Sequence, residues 1–314
     1  MPMVSRPAIR TVLIDLSGTL HIGTSALPGA VAALQRLREA RVPSRFCSNT
    51  SKESTADLVR KLRAMGFGVN SKVVVGPEGK EGGEEEVWTS LGAVKRMIEA
   101  RGLHRPYFLL SPSAAEECSA NLPSSDPNTP YDAVVVGLAP AMFTYDNLTT
   151  AFRVLIGEEG QPSSASASAS ASASTSTSKP NIAFLATHKA KYVRTPDKQL
   201  SLGPGPFVAA LEDASGAKAE VVGKPTKAFF ESVIGSMNLD GSDAGRIAVI
   251  GDDVAADLGE GALELGLWRV LVKTGKYRPG DEAREDAVPP DEVQDSFASW
   301  VDSLLLDREA RSRL

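Results

Sequence analysis

The sequence predicts an α/β protein: a parallel sheet flanked by helices and interrupted by a second, inserted α/β unit. Apolar, β-branched runs of strand length alternate with amphipathic stretches of helix length, which is the pattern of right-handed strand–helix–strand crossovers. Several of these runs end on acidic, hydroxyl or amide side chains, where open α/β sheets present groups to ligands. The runs with such endings lie towards both ends of the chain, and a separate set of strands and helices lies between them.

Residues before Arg10 read as a short tail. Val12-Leu13-Ile14 is a buried strand ending on Asp15, followed by Gly18-Thr19. Leu27-Pro28-Gly29 opens a helix to about Ala40, with Ala30, Val31, Leu34 and Leu37 at helical spacing. Arg45-Phe46-Cys47 is a second strand, ending on Ser48-Asn49-Thr50. The next helix carries Leu58, Leu62 and Met65 and stops at Gly66. Val73-Val74-Val75 reads as a third strand and Gly76 to Glu86 as an acidic surface loop, before a helix from about Thr89 to Ala100.

The inserted unit offers strands at Tyr107–Leu110, Ala133–Val136 and Asn181–Ala186, and helices at Asp146–Ile156 and from Gly203 to about Asp213. Ser163 to Ser178 is mostly Ser and Ala, cannot form a core, and is expected to be a disordered insertion. Val221-Val222-Gly223-Lys224-Pro225 is expected to return the chain to the first sheet. A helix from Thr226 to Ile234 follows, and then a strand, Ile247 to Ile250, ends in Gly251-Asp252-Asp253. Helix at Ala255–Leu265, strand at Trp268–Val272 and helix at Phe297–Leu305 complete the expectation. The resulting division is a first core part at 1–86, an insertion at 87–215 that contains the Ser/Ala-rich stretch 162–179, and a second core part at 216–314.

Composition narrows the function. A chain of 314 residues, 42% hydrophobic and 23% charged, is long enough for two moderate domains and has the balance of a globular protein. Its net charge of −5 argues against a nucleic-acid surface. No apolar run is long enough to span a bilayer and no signal peptide is evident, so no membrane role is expected. Two cysteines, Cys47 and Cys118, make no disulfide framework, and a cytoplasmic location is expected. No Gly-x-Gly-x-x-Gly follows the first strand, which argues against a dinucleotide oxidoreductase.

Each strand ending taken singly also fits an ordinary turn. Taken in order, Asp15, then Ser48-Asn49, then Lys224, then Gly251-Asp252-Asp253 resembles the haloacid dehalogenase superfamily of phosphohydrolases. Asp15-Leu16-Ser17-Gly18-Thr19-Leu20-His21 resembles the class IIA subgroup, in which an α/β cap is inserted between the second and third motifs. The resemblance implies a Rossmann-like core, often dimerised through the cap, and Mg2+-dependent hydrolysis through an aspartyl-phosphate. Asp15 is the implied nucleophile, and Asp15, the Ser17 carbonyl and Asp252 are the implied Mg2+ ligands. Asp253 and Asp257 would hold metal-bound waters or the Lys224 ammonium. Lys224, Ser48, Asn49 and the backbone amide at Gly18 would bind phosphoryl oxygens. His188 and Lys189, with Lys191 and Tyr192, occupy the cap segment where relatives read substrate. The implied substrate is a small phosphorylated molecule, pyrophosphate or a phosphoprotein.

One residue departs from the pattern. Members of the superfamily place a second Asp two residues after the first, as acid for the leaving group. This chain has Ser17, which cannot do that at neutral pH. The consequence is an expected preference for weakly basic leaving groups, or, as the alternative, a catalytically weak protein that senses a phosphate ligand or binds a partner.

Overall fold

The computed structural model describes residues 6–69, 86–123, 126, 129–158, 182–194, 199–237, 239, 246–285 and 287–313. β1 (Thr11–Asp15) is followed by a small hairpin, β2 (His21–Ile22) with β3 (Ser25–Ala26), and by α1 (Ala30–Glu39). β4 (Ser44–Ser48), α2 (Thr55–Ala64) and β5 (Val87–Thr89) continue the alternation. α3 (Ser90–Ala100) leads to β6 (Pro106–Leu109), α4 (Pro112–Ser119), β7 (Ala133–Val136), α5 (Tyr145–Ile156) and β8 (Ala183–Ala186). A second hairpin, β9 (Tyr192–Arg194) with β10 (Leu200–Leu202), precedes α6 (Gly205–Ser215) and β11 (Glu220–Val221). Then come α7 (Lys227–Gly235), β12 (Ile247–Gly251), α8 (Glu260–Glu264), β13 (Trp268–Val272), β14 (Glu292–Gln294) and α9 (Phe297–Ser312).

The larger sheet has the order β14-β13-β12-β1-β4-β5, all parallel, with β1 between β12 and β4. Alternate residues of its strands feed opposite faces, as the pleat requires. Val12, Ile14, Phe46, Ala248, Ile250 and Val270 pack with α1, α2 and α9, while Leu13, Cys47, Val249 and Leu271 pack with α7 and α8. Both faces are covered, which is why the strands read as continuous apolar runs. The smaller sheet, β11-β8-β7-β6, is also parallel and is likewise covered on both faces. The architecture is therefore α/β with a Rossmann-like parallel core and a second α/β unit within the chain.

Helix starts follow their caps. Ser54, Thr89, Thr144 and Thr226 each accept a bond from the amide three residues on, and Ser296 with Ser299 forms a capping box for α9.

The structure differs from the sequence expectation at several points. Val87–Thr89 pairs with Phe46–Ser48, so the chain leaves the larger sheet after Thr89 rather than at 87. Val221 pairs with Ala186, so Lys224 leaves the smaller sheet, not the larger one. Residues 255–265 are helical only from Glu260 to Glu264, because the Asp253 carboxylate takes the amides of Ala255 and Ala256 and holds a turn there. α4 buries only Ala114 and Cys118, too weak an apolar stripe to stand out in sequence. The expected strand at 73–75, the loop up to residue 85 and the 162–179 stretch lie outside the described residues. Among the described residues no helix is long and apolar enough to cross a membrane.

Phe46 sits on a central strand at 1% exposure, in the cluster shared with α1 and α9. Phe46→Ala is expected to cost about 3–5 kcal/mol of unfolding free energy, read as a lower denaturant midpoint.

Candidate active site

β1 ends at the centre of the larger sheet, and Asp15 is its last residue. The turn after it is tight: the Gly18 amide donates to the His21 carbonyl at 2.7 Å and the Leu20 amide to the Leu16 carbonyl at 2.9 Å. Thr19 Oγ1 donates to Asp15 Oδ2 at 3.0 Å. The other carboxylate oxygen, Oδ1, lies 2.6 Å from the Lys224 ammonium. Lys224 is 2% exposed and also bonds Asp257 Oδ1, at 2.7 Å. Its backbone is clamped by Asn49, whose Oδ1 accepts from the Lys224 amide and whose Nδ2 donates to the Lys224 carbonyl, both at 2.9 Å.

Asp252 follows β12 directly and is 1% exposed. Its Oδ2 accepts from the Lys276 amide at 2.5 Å, while its Oδ1 is buried with no hydrogen-bond partner among the described residues. Gly18 and Gly275 close over this carboxylate. Both have positive φ, and a Cβ on either would lie 2.0 Å from Asp252 Oδ2, so no larger residue fits. The loop after β13 is tied down by Thr274 Oγ1, which donates to the Gly18 carbonyl at 2.5 Å.

Three buried carboxylates, Asp15, Asp252 and Asp257, have oxygens within 4.8 Å of one another. Burial, reinforced by Asp257 and Asp15, pushes the Asp252 carboxyl well above the usual range, with Lys276 opposing. Burial and then Asp15 push Asp257 up to about 6 against the pull of Lys224 and Lys276. Burial works to deprotonate Lys224, but Asp15 and Asp257 outweigh it and hold the ammonium charged. Such a set is held together by one buried cation and is still net negative. Its donors are all oxygen and one of them is an orphan. That is the chemistry of a hard divalent cation site.

The carboxylates open into a cleft of about 390 Å³. Of the residues singled out in sequence, Asp15, Ser17, Gly18, Ser48, Asn49, His188, Asp252 and Asp257 line it. Lys224 lies buried beneath it. Asp253 turns away to the amides of Ala255 and Ala256 and to Lys276 Nζ at 3.4 Å. Lys189 is not brought to the cleft: its ammonium is 2.7 Å from Glu212 Oε2. Ser48 Oγ accepts from the Thr50 amide, which leaves its own hydrogen available to donate. His188 is pressed down to about 3 by burial and then by Lys276, Lys224 and Lys52, so its ring is neutral at neutral pH. Cys47 sits at 0% exposure with its thiol pushed up to about 12, an inert group.

Sequence reasoning missed Lys276 and Lys52, which both line the cleft. The signal was present for Lys276, since it follows the end of β13, the same placement that singled out Asp15 and Asp252.

Comparison with known proteins agrees with this architecture. Residues 12–121 match a family model described as haloacid dehalogenase-like hydrolase, and residues 221–300 match one described as HAD-hydrolase-like. The chain is 40% identical over 303 residues to human haloacid dehalogenase-like hydrolase domain-containing protein 2, covering 96% of this chain and 98% of that one. It is 35% identical over 301 residues to human phospholysine phosphohistidine inorganic pyrophosphate phosphatase, covering 95% and 94%. Among solved structures, a 4-nitrophenylphosphatase from Thermotoga maritima shares the fold with a TM-score of 0.73 at 24% identity, over 95% of this chain and 98% of that one. A p-nitrophenyl phosphatase from Archaeoglobus fulgidus does so with a TM-score of 0.74 at 23%, over 95% and 100%.

The electrostatics generate a stability prediction. A carboxyl whose folded pKa lies above its unfolded value destabilises the fold once ionised, so the penalty is present at neutral pH and fades as pH falls through the acid range. In metal-free protein at pH 7.5, Asp252→Asn should raise the melting temperature by about 3 °C, the shift expected for ~1 kcal/mol in a chain of this size. The gap should shrink on acidification. Added Mg2+ should raise the wild-type melting temperature and leave that of the variant unmoved.

Proposed function

The chain belongs to the haloacid dehalogenase-like hydrolases, and on that footing we propose that it is a Mg2+-dependent phosphohydrolase working through an aspartyl-phosphate on Asp15. The observation that carries this reading is Asp15 at a strand end, 2.6 Å from a buried lysine, within one cluster with Asp252 and Asp257. Those oxygens suit Mg2+, with Asp15, Asp252 and the Ser17 carbonyl as its protein ligands. When bound, the ion would neutralise phosphoryl charge and fix its orientation.

This chain's own residues do the rest. Lys224 holds Asp15 in place through the 2.6 Å contact to its Oδ1. A carboxylate oxygen of Asp15 bonds to phosphorus while the bond to the leaving group breaks, its electron pair departing with that group. Water then cleaves the acyl phosphate, restoring Asp15 and releasing phosphate, and the surplus proton passes to phosphate or solvent. The Ser48 hydroxyl donates to a phosphoryl oxygen, whereas the amide at Gly18, spent on the His21 carbonyl, shapes the turn after Asp15 instead. Asn49 spends both ends of its amide on Lys224, so it acts by holding that lysine.

Ser17 lines the cleft and offers no acidic proton. The reading therefore favours substrates with weakly basic leaving groups, such as pyrophosphate or phosphoramidates. A relative whose name includes phospholysine, phosphohistidine and inorganic pyrophosphate supports that choice. The same Ser17 supports a second reading, a catalytically weak phosphate sensor. The smaller sheet acts as the cap, meeting the core through the Leu138 amide on Ser51 Oγ at 2.8 Å and Thr55 Oγ1 on Glu117 Oε1 at 2.8 Å. Exposed Tyr192, Leu200 and Leu202 on its hairpin offer a surface for a homodimer. Two free, buried thiols support a reducing cytoplasm.

With Mg2+ and a panel of phosphate compounds, Asp15→Asn should lower turnover on the order of 10³-fold or more, as loss of a nucleophile does. Unchanged turnover in that variant removes the phosphohydrolase reading. The wild-type kcat/KM on pyrophosphate should exceed that on glycerol phosphate by about 10²-fold, the scale of the missing acid assistance. Faster release from the ester would contradict the leaving-group preference.

A further inference from the structure

With Ser17 in place of an acid, the charge that develops on a leaving group needs another counterpart, and the outer part of the cleft supplies one. Lys276 lines it from the core side. Its backbone is pinned by the 2.5 Å bond from its amide to Asp252 and by the Thr274–Gly18 contact two residues before. Its ammonium lies 3.4 Å from Asp253 Oδ2, a loose pairing that leaves the side chain 27% exposed towards the cleft. His188 lines the opposite, cap side at 6% exposure. The Ala190 amide donates to its Nδ1 at 3.3 Å, so the proton of the neutral ring sits on Nε2. That nitrogen has no partner among the described residues. Lys52 stands at the rim, exposed and without an acidic partner among the described residues. The acidic side chain nearest the rim, Glu53, is neutralised by Lys61 at 2.5 Å. Beyond the carboxylate cluster, the cleft is therefore net positive and carries the Nε2–H of His188 as a further, neutral donor.

We propose that Lys276, Lys52 and the His188 Nε2–H form a second anion subsite that holds the leaving half of the substrate, which marks the substrate as a phosphoanhydride whose leaving group is itself a phosphate. The inference rests on the phosphoryl site at Asp15 argued above. As the P–O bond to the leaving phosphate breaks, the electron pair stays on that phosphate, and its added charge faces the Lys276 ammonium. Lys276 gives up no proton. For pyrophosphate the sum is P2O7(4−) + H2O → 2 HPO4(2−), the water supplying one proton to each product. The neutral His188 adds a hydrogen bond without carrying charge. This arrangement does by charge pairing what a carboxyl acid does elsewhere by proton transfer.

Titration calorimetry in Mg2+ tests the subsite without requiring turnover. The probes are methylenediphosphonate, which cannot be hydrolysed, and inorganic phosphate. Wild-type protein should prefer the diphosphonate. Lys276→Met should weaken diphosphonate binding about tenfold or more while phosphate affinity stays within about twofold, whereas Lys276→Arg should retain the preference. Lys52→Met, at an exposed position that does not threaten folding, should cut the preference by about threefold. A purely structural role for Lys276 would weaken both probes equally, and equal weakening or an unchanged preference overturns the proposal. The two readings fail separately. Absent turnover with the preference lost in Lys276→Met removes the hydrolase and keeps the subsite. Asp15-dependent turnover with an unmoved preference keeps the hydrolase and removes the subsite.

Discussion

The buried ammonium of Lys224 is the contact on which the site depends. It lies between Asp15 and Asp257, bonded to one oxygen of each, with almost no solvent access. Without it, three carboxylates would share a few ångströms of low-dielectric interior with only Lys276, partly exposed and paired to Asp253, as a nearby counter-charge, and ionising all of them there is prohibitive. With it, one carboxylate pair is compensated and Asp252 remains the strained member, with one oxygen unpartnered among the described residues. The site is therefore arranged to accept positive charge from outside the chain.

The placement of that lysine joins the two units. Lys224 follows β11 of the smaller sheet, whereas Asp15 and Asp252 follow β1 and β12 of the larger one. Leu138 and His188, which also line the cleft, come just after β7 and β8. The cleft thus lies between the carboxyl ends of two parallel sheets, each contributing side chains from its strand ends. Contacts that seat one unit on the other near the cleft include hydrogen bonds through Ser51, Ser54 and Thr55. A polar seam of this kind can part and reform at lower cost than a packed apolar core.

Charge divides the cleft. The floor is acidic, while the wall and rim carry Lys276 and Lys52 beside a neutral histidine. The two regions are joined by the loop after β13, whose backbone amide bonds Asp252 while its side chain reaches the wall. One short segment therefore couples the acidic cluster to the basic wall of the cleft.

Much of this was legible in the residues. The apolar runs of β1, β4, β12 and β13 announce strands buried on both faces, and Asp15, Ser48 and Asp252 stand at or just past the ends of β1, β4 and β12, with Lys224 just past β11. Short elements were not legible: the hairpins and β14 have two or three residues per strand, too few for a period to show, and although Val221 reads as a strand residue, the sheet it joins does not show in the sequence. Nor could pattern reveal that Lys189 turns to Glu212, or that Asn49 is spent on the Lys224 backbone, since both outcomes depend on partners far away in sequence. The sequence alone settled which residue types stand at the ends of strands, because hydrophobic periodicity is local. The tertiary structure decided which of them share one space and one electrostatic field, because charge, burial and hydrogen-bond partners belong to neighbours in space rather than in the chain.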